Sequence, residues 1–197
     1  MKHTILLSAA LALLAACSQP PDADLHSMTA AVNAYLAKKG DLCLGKDKWP
    51  IDVTPREAGA HARNAVQMPV LEHVGLVSSS QAKVEATDEA PATTVTRYTL
   101  TDEGKKYFLV REASRGDFCA ARLTLDKVVG WEVRQGEKDQ AEALVTYTYK
   151  VDAAPWTNDA EVQKAFPMVD RVVRGAGTMQ LKENFRRTES GWVAKDA

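Results

Sequence analysis

The feature that most constrains the fold of this chain is a change in the spacing of its apolar residues near Phe118. Before that point they recur at three- and four-residue steps, as in helices that bury one stripe. After it they alternate with polar residues, as in strands that bury one face. A chain that changes period once in this way is expected to place helices in its first half and an antiparallel sheet in its second. The sequence therefore predicts an α+β fold.

The second half, 117–197, predicts an antiparallel sheet of about five strands with one short helix. Apolar residues alternate with polar ones in four runs, 119–125, 129–133, 141–151 and 179–185. Asp126-Lys127 is expected to form a tight turn between the first two runs. The helix is expected near 159–166, because Pro167 cannot continue the hydrogen-bond ladder. We expect the sheet to be curved and broadly similar to the cystatin or nuclear-transport-factor-like class.

The first half, 28–116, predicts helices. The first should cover 28–39, with Ser27 as its cap. A second should start at the cap Thr54 and end near residue 67, because Pro69 interrupts it, and a short third helix should follow at 70–74. The stretch 81–94 has almost no large apolar side chain and is expected to be a mobile loop.

The first sixteen residues have the composition of a secretory signal. A short basic start is followed by about a dozen apolar residues, which are too few to span a bilayer as a mature helix. We therefore expect 1–16 to be removed on export and 17–27, broken by Pro20-Pro21, to be a short polar tether. No second apolar run in the sequence is long enough to span a membrane.

The end of this signal, Leu14-Ala15-Ala16-Cys17, resembles the lipobox of bacterial lipoproteins. The resemblance implies that the signal is cut before Cys17 and that this cysteine carries the acyl chains, palmitate among them, that anchor the protein. In enterobacterial members an aspartate after the cysteine retains the protein in the inner membrane. Ser18 therefore implies the outer membrane, facing the periplasm. An ordinary cleaved signal that leaves a cysteine near the new end is the alternative.

Two further cysteines, Cys43 and Cys119, remain once Cys17 is assigned to lipid. In a compartment that oxidises thiols they are expected to form one disulfide. Two free buried thiols or an intermolecular bond are the alternatives. A bridge between these residues would join the two halves of the chain.

A second, local resemblance covers residues 70–107. Gly75-Leu76-Val77 and the later phrase Tyr98-Thr99-Leu100-Thr101, with Gly104 three residues on, look like the end of a winged-helix module. Such modules commonly bind DNA. Between Arg56 and Arg115, however, eight basic side chains are balanced by eight acidic ones, which leaves no excess of cations to release counterions from a duplex. The resemblance therefore implies a local fold, and we expect no nucleic-acid partner.

The sequence contains no recognisable catalytic or metal-binding motif. His26, His61 and His73 have no metal-ligand spacing, and we find no phosphate-binding loop and no nucleophile elbow. Gly175-Ala176-Gly177 lacks the rest of a dinucleotide fingerprint. We therefore expect no cofactor, no metal and no enzymatic activity.

One polar residue breaks the alternation of the second half. Glu183 should share a face with the apolar side chains around it, and a buried carboxylate is costly unless it is paired. It either reaches solvent near a sheet edge or a bulge, or lines a ligand site with Tyr147 and Tyr149 from the neighbouring strand.

Three classes of function fit these observations. The first, which we favour, is a lipid-anchored envelope protein that binds a protein or assembly partner without catalysis. The second is a lipoprotein that binds a small ligand on the concave face of its sheet, and the third is an enzyme with an unfamiliar site. A flat apolar surface would favour the first and a deep pocket with convergent polar groups the second.

Overall fold

The structure, a computed structural model, describes residues 23–86, 92–110, 116–136 and 140–195. Cys17 and the signal lie outside these residues. The helices are α1 (Leu25–Lys39), α2 (Pro55–Gly59), α3 (Arg63–His73), α4 (Asp102–Lys105), α5 (Ala160–Ala165) and α6 (Pro167–Arg174), with a 3-10 helix at Pro155–Asn158. The strands are β1 (Asp41–Cys43), β2 (Ile51–Val53), β3 (Val77–Val84), β4 (Thr93–Leu100), β5 (Phe108–Val110), β6 (Gly116–Gln135), β7 (Ala141–Ala153), β8 (Leu181–Thr188) and β9 (Gly191–Ala194). None of the described helices combines the length and apolar character needed to cross a membrane.

The fold mixes helices with a curled antiparallel sheet in the second half of the chain, as predicted. The larger sheet has the strand order β1-β6-β7-β8-β9, and β5 pairs with the start of β6. A second sheet has three strands in the order β2-β4-β3. Five strands thus lie in the first half, so the prediction of a helical N-terminal half is not confirmed.

Helix α1 packs on the larger sheet and forms the first core. It begins three residues earlier than predicted, because Asp24 is the cap and Ser27 returns a reciprocal hydrogen bond from the first turn. Its buried stripe, Met28, Ala31, Val32 and Leu36, meets side chains of β6 to β9. The partners buried from the sheet are Leu123, Ala143, Val145, Tyr147, Tyr149, Phe185, Trp192 and Ala194.

The predicted turn at Asp126-Lys127 is wrong. Strand β6 runs without reversal from Gly116 to Gln135 and pairs with β7 along most of its length. Register shifts between Leu125 and Lys127 and between Val128 and Gly130 mark two bulges. The Thr148 hydroxyl donates to Asp126 Oδ2 at 2.8 Å, which ties the first bulge to β7. The same face of the strand is buried before and after the bulges. The interruption in the apolar alternation therefore lies within one bent strand.

The predicted ends of the second and third helices are also wrong. α2 stops at Gly59, and the chain turns at His61, which has a φ of 49°. α3 then runs through Pro69 to His73. Proline removes one ladder hydrogen bond, but Met68 and Leu71 on either side of it are fully buried, and packing of this kind contributes more to helix stability than a single bond.

Of the predicted mobile loop 81–94, most of the described residues belong to strands, and only 85, 86 and 92 do not. Residues 81–84 belong to β3 and 93–94 to β4, and the two strands pair from Val77–Leu100 to Val84–Thr93. Residues 87–91 lie outside the described part. The weakly apolar composition of this stretch reflects its position in a hairpin whose side chains are largely exposed.

A second core lies where β6 begins. Phe118 and Ala120 of β6 pack with α3, the 3-10 helix, α5 and α6. The helix predicted near 159–166 is confirmed as α5, with Asp159 as its cap. α6 was not predicted; it starts at Pro167, a residue that ends one helix and suits the first turn of the next. The predicted Cys43–Cys119 disulfide is confirmed and joins β1 to β6.

Candidate partner-binding site

The structure brings two of the predicted site residues, Tyr147 and Glu183, close together. In the β7–β8 register Val145 lies opposite Glu183 and Tyr147 lies opposite Leu181, so Glu183 shares the face that carries the first core. Burial raises the pKa of the Tyr147 hydroxyl, and Tyr35 of α1 and Glu183 raise it further. Glu183 is half-buried, and its Oε1 accepts the backbone N–H of Asn184 at 2.9 Å.

The third predicted site residue, Tyr149, is fully buried. Its hydroxyl donates to the carbonyl of Val172 in α6 at 2.8 Å, and burial raises its pKa. The hydroxyl is therefore satisfied within the fold. Helix α1 packs across the face of the sheet that holds all three residues. A ligand site on this face stays a prediction.

Strand β6 offers a feature that was not predicted, an unpaired edge at its far end. On one side β6 pairs with β7 as far as Gln135. On its other side, β1 pairs only with the stretch from Cys119 to Arg122. Residues 130–134, which follow the second bulge and are regular, are called the distal edge here. Among the described residues no strand lies on the outer side of the distal edge.

The backbone of the distal edge alternates between the two sides. The Gly136 N–H donates to the Gln140 carbonyl at 2.8 Å, so the pair formed by residues 136 and 140 is hydrogen-bonded. Going back along β6 from this pair, every second residue pair with β7 is hydrogen-bonded in the same way. Val133, which pairs with Ala143, and Trp131, which pairs with Val145, fall between these pairs. Their N–H and C=O groups therefore point away from β7, towards the open side.

The side chains of the distal edge are exposed and partly apolar. The side chain of Val133 is 52% exposed, and Val129 in the adjoining bulge is 48% exposed. Glu132 and Arg134 alternate with them on the opposite face and are exposed. An edge of this composition combines open hydrogen-bonding groups with a modest apolar surface, which is the arrangement that accepts an added strand.

The distal edge is held in place by a charged cluster beside it. Glu142 of β7 is buried, and its carboxylate accepts from Lys195 at 2.7 Å and from Arg134 at 3.4 Å. The Lys195 ammonium and, to a smaller extent, the Arg134 guanidinium hold the pKa of Glu142 below its usual range. Arg134 also donates to Asn184 at 3.0 Å. These contacts connect β6, β7, β8 and the end of the chain.

Gly136 completes this arrangement at the end of β6. A Cβ at this position would lie 2.4 Å from the Glu142 side chain, so a larger residue would push the carboxylate away from its present contacts. Because those contacts join the described strands beside the distal edge, little conformational entropy is lost when a partner binds the edge.

A cleft of about 330 Å³ lies where β6 exchanges its partner β7 for β5. It is bordered by Tyr107, Ala120, Arg122 and Ala153 among others. The Arg122 guanidinium donates to Asp41 at 2.7 Å and to the Ala37 carbonyl at 2.9 Å, so this one of the charged groups at the cleft joins α1 and β1 to β6. Across the described ranges, no three His, Cys, Asp or Glu side chains are grouped so that they could hold a metal ion.

Nothing in the sequence pattern marks the distal edge, which stays open because β1 pairs only with the stretch of β6 from Cys119 to Arg122. Strand order decides which edge stays open, and alternation alone does not specify strand order.

The chain was compared with protein-family models, with curated proteins and with solved structures. No family model, curated protein or solved structure matches it significantly, so the geometry of the site and the motifs of the sequence carry the functional argument.

Proposed function

We propose that this protein is a non-catalytic cell-envelope lipoprotein that binds an extended segment of a protein partner along the distal edge of β6. The observation that supports the proposal is the regular run 130–134, on whose outer side no described strand lies, with outward-pointing backbone groups at Trp131 and Val133 and an exposed Val133 side chain. Strand addition obtains affinity from main-chain hydrogen bonds and specificity from alternate side chains. Glu132 and Arg134 lie on the same face of the strand, one acidic and one basic. This favours a partner strand that places a basic residue opposite Glu132 and an acidic residue opposite Arg134.

The lipid anchor is the second part of the proposal. Leu14-Ala15-Ala16-Cys17 supports lipidation of Cys17, and Ser18 supports the outer membrane, facing the periplasm. The predicted tether, 17–27, is shortened by the start of α1 at Leu25, so the folded part would stay near the membrane surface. Partners are then expected among envelope proteins within reach of that surface.

The winged-helix likeness of 70–107 belongs to this proposal as a statement about local fold. It is supported by the order of elements, in which β2 is followed by α2 and α3 and then by the β3–β4 hairpin, whose second strand pairs back to β2. DNA binding is not proposed, because acidic and basic side chains balance across that region.

Val133→Pro is expected to abolish partner capture while the protein still folds. The Val133 N–H does not bond to β7, so proline costs little there, yet it removes an edge donor and places its ring against an incoming strand. In cells, a photo-crosslinking residue at position 132 should yield an adduct that falls at least about tenfold in Val133→Pro, the equivalent of about 1.4 kcal/mol.

Val133→Thr is the matched control for this experiment. It keeps the backbone donor and the β-branched shape, and its adduct should stay within about threefold of the wild-type level. Circular dichroism of both variants checks that they are folded. Equal crosslinking in the proline and wild-type proteins would exclude strand addition at the distal edge.

Cys17→Ala is expected to move the protein out of the membrane fraction. Without the thiol there is no site for the acyl chains, and the described residues contain no membrane-spanning helix. Fractionation and intact mass should show an unlipidated chain. Ser18→Ala leaves the cysteine unchanged and should stay membrane-bound. Recovery of Cys17→Ala in the membrane at the wild-type level would rule out the anchor.

A further inference from the structure

The distal edge has a pattern of charges that is complementary to its own pattern in a second, reversed copy. Glu132 and Arg134 lie two positions apart on one face of β6, with Val133 between them on the other face. When a second distal edge runs antiparallel to the first, with the two Val133 residues opposite each other, Glu132 of each copy lies opposite Arg134 of the other. The edge therefore offers the basic and acidic positions that its own charges favour.

The backbone of the distal edge agrees with this alignment. The N–H and C=O groups of Val133 point away from β7, whereas those of Glu132 and Arg134 bond to β7. The two Val133 residues would thus form a hydrogen-bonded pair, in which each N–H donates to the carbonyl of the other copy. Glu132 and Arg134 would form the non-hydrogen-bonded pairs on either side, where opposite Cα atoms are about 4.5 Å apart and the side chains are closer. The register that suits the hydrogen bonds also suits the charges.

Two other alignments are disfavoured by the same charges. An antiparallel alignment centred on Glu132 keeps hydrogen bonds at Trp131 and Val133 but places the two Glu132 carboxylates directly opposite each other. A parallel alignment in register sets Glu132 beside Glu132 and Arg134 beside Arg134. Like charges directly opposite each other are destabilising. Charge therefore favours the antiparallel alignment centred on Val133.

Both charged side chains are accessible to a second copy. The Glu132 carboxylate forms no ion pair or hydrogen bond with another described residue. The Arg134 side chain is 56% exposed, and its hydrogen bonds to Glu142 and Asn184 use Nη2 alone. The Nε and Nη1 groups of Arg134 donate to no described residue, so they can donate to a carboxylate of the second copy.

We propose that the partner of the distal edge is a second copy of this chain, an inference that rests on the proposed strand addition and names its occupant. The two copies pair antiparallel about Val133 and form one continuous sheet. Their two-fold axis is perpendicular to the sheet. Because α1 packs on one face of the larger sheet, this axis leaves both α1 helices, and the tethers that precede them, on the same face. Two copies anchored in one membrane through Cys17 can therefore pair.

The overlap of the two edges is short, so confinement to a membrane strengthens the pairing. A single pair of short strand segments buries less than the roughly 1,200 Å² of stable soluble complexes. Anchoring both copies in one bilayer raises the effective concentration of each for the other. The dimer is therefore expected on the membrane.

The test places a thiol on the two-fold axis. In Val133→Cys the thiols of two copies lie opposite each other, within the Cα separation of up to about 6.8 Å that a disulfide spans. Val110→Cys changes another exposed valine, in β5, and is the matched control. The mature lipidated variants are oxidised in vesicles of phosphatidylethanolamine and phosphatidylglycerol and separated by non-reducing electrophoresis. Val133→Cys should give at least about tenfold more covalent dimer than Val110→Cys.

Charge reversal in the Val133→Cys protein tests the register. Glu132→Arg alone sets arginine against arginine, and Arg134→Glu alone sets glutamate against glutamate. Each should lower the yield of covalent dimer at least about fivefold, and an equal mixture of the two proteins should restore most of it, because opposite charges then meet. Circular dichroism checks that both variants are folded. Glu132→Arg, which breaks no described side-chain contact, tests the register even if Arg134→Glu does not fold.

Equal dimer yields from Val133→Cys and Val110→Cys, or a yield that Glu132→Arg leaves unchanged, would overturn the proposed dimer. Failure of strand addition itself gives a different result. If the adduct at position 132 has the mass of a foreign protein and is lost in Val133→Pro, the distal edge accepts a strand and only the second copy is wrong. If the adduct is unchanged in Val133→Pro, strand addition is wrong as well.

Discussion

Replacing Cys43 and Cys119 together by alanine is expected to lower the free energy of unfolding by about 4 to 5 kcal/mol. The two residues are 76 positions apart in the sequence, and the entropy of the unfolded chain rises strongly when so long a loop is released. In the folded protein, β1 pairs with β6 along only three residues, so the bond also fixes a short strand that few hydrogen bonds hold. Urea unfolding followed by circular dichroism measures the loss.

The reduced wild-type protein is the control, since it breaks the same bond without changing the sequence. It should lose a similar amount of stability. In the native, oxidised protein neither thiol should react with an alkylating reagent. A double variant within about 1 kcal/mol of the oxidised protein would contradict the expected role of the bridge.

Phe118→Ala is expected to cost about 3 to 5 kcal/mol, because it leaves a cavity at the centre of the second core. The Phe118 side chain is fully buried. Its ring centroid lies 6.0 Å from that of Trp49, 6.3 Å from that of Tyr107 and 5.8 Å from that of Trp156. These partners come from three separate segments of the chain, so they cannot close over the vacant volume without moving the backbone.

Val110→Ala provides the comparison. Val110 lies in the neighbouring strand β5 and is 65% exposed, so its truncation should change stability by less than about 0.5 kcal/mol. Both variants can be measured by the same urea titration. A loss below about 1 kcal/mol for Phe118→Ala would mean that the second core does not depend on this ring.

The sequence predicted local elements well where the pattern was regular. The stripe of α1 and the alternation of β7 each identify one buried face, and the cap Asp159 marks the start of α5. Errors came where two physical effects compete. Inside α3, the burial of Met68 and Leu71 outweighs the helix-breaking effect of the proline. The pattern at Asp126-Lys127 predicts a turn, but a bulge interrupts the alternation in the same way, and the structure has a bulge there.

The sites depend on contacts between distant segments, which a single sequence does not specify. Gln67 of α3 and Met168 of α6 lie about a hundred positions apart, yet both border one cavity of about 260 Å³. The open side of β6 likewise follows from strand order. The cysteines were the exception, because two cysteines in a compartment that is expected to oxidise thiols have only one intramolecular pairing.

Strand β6 extends through both cores, and this continuity has a consequence for how the molecule opens. Phe118 and Ala120 belong to the second core, whereas Leu123 belongs to the first. Melting either core would therefore loosen a strand on which the other core also depends. Amides in α3 and in β7 are expected to exchange with solvent through a common opening event, so the chain behaves as one foldon although it has two sheets.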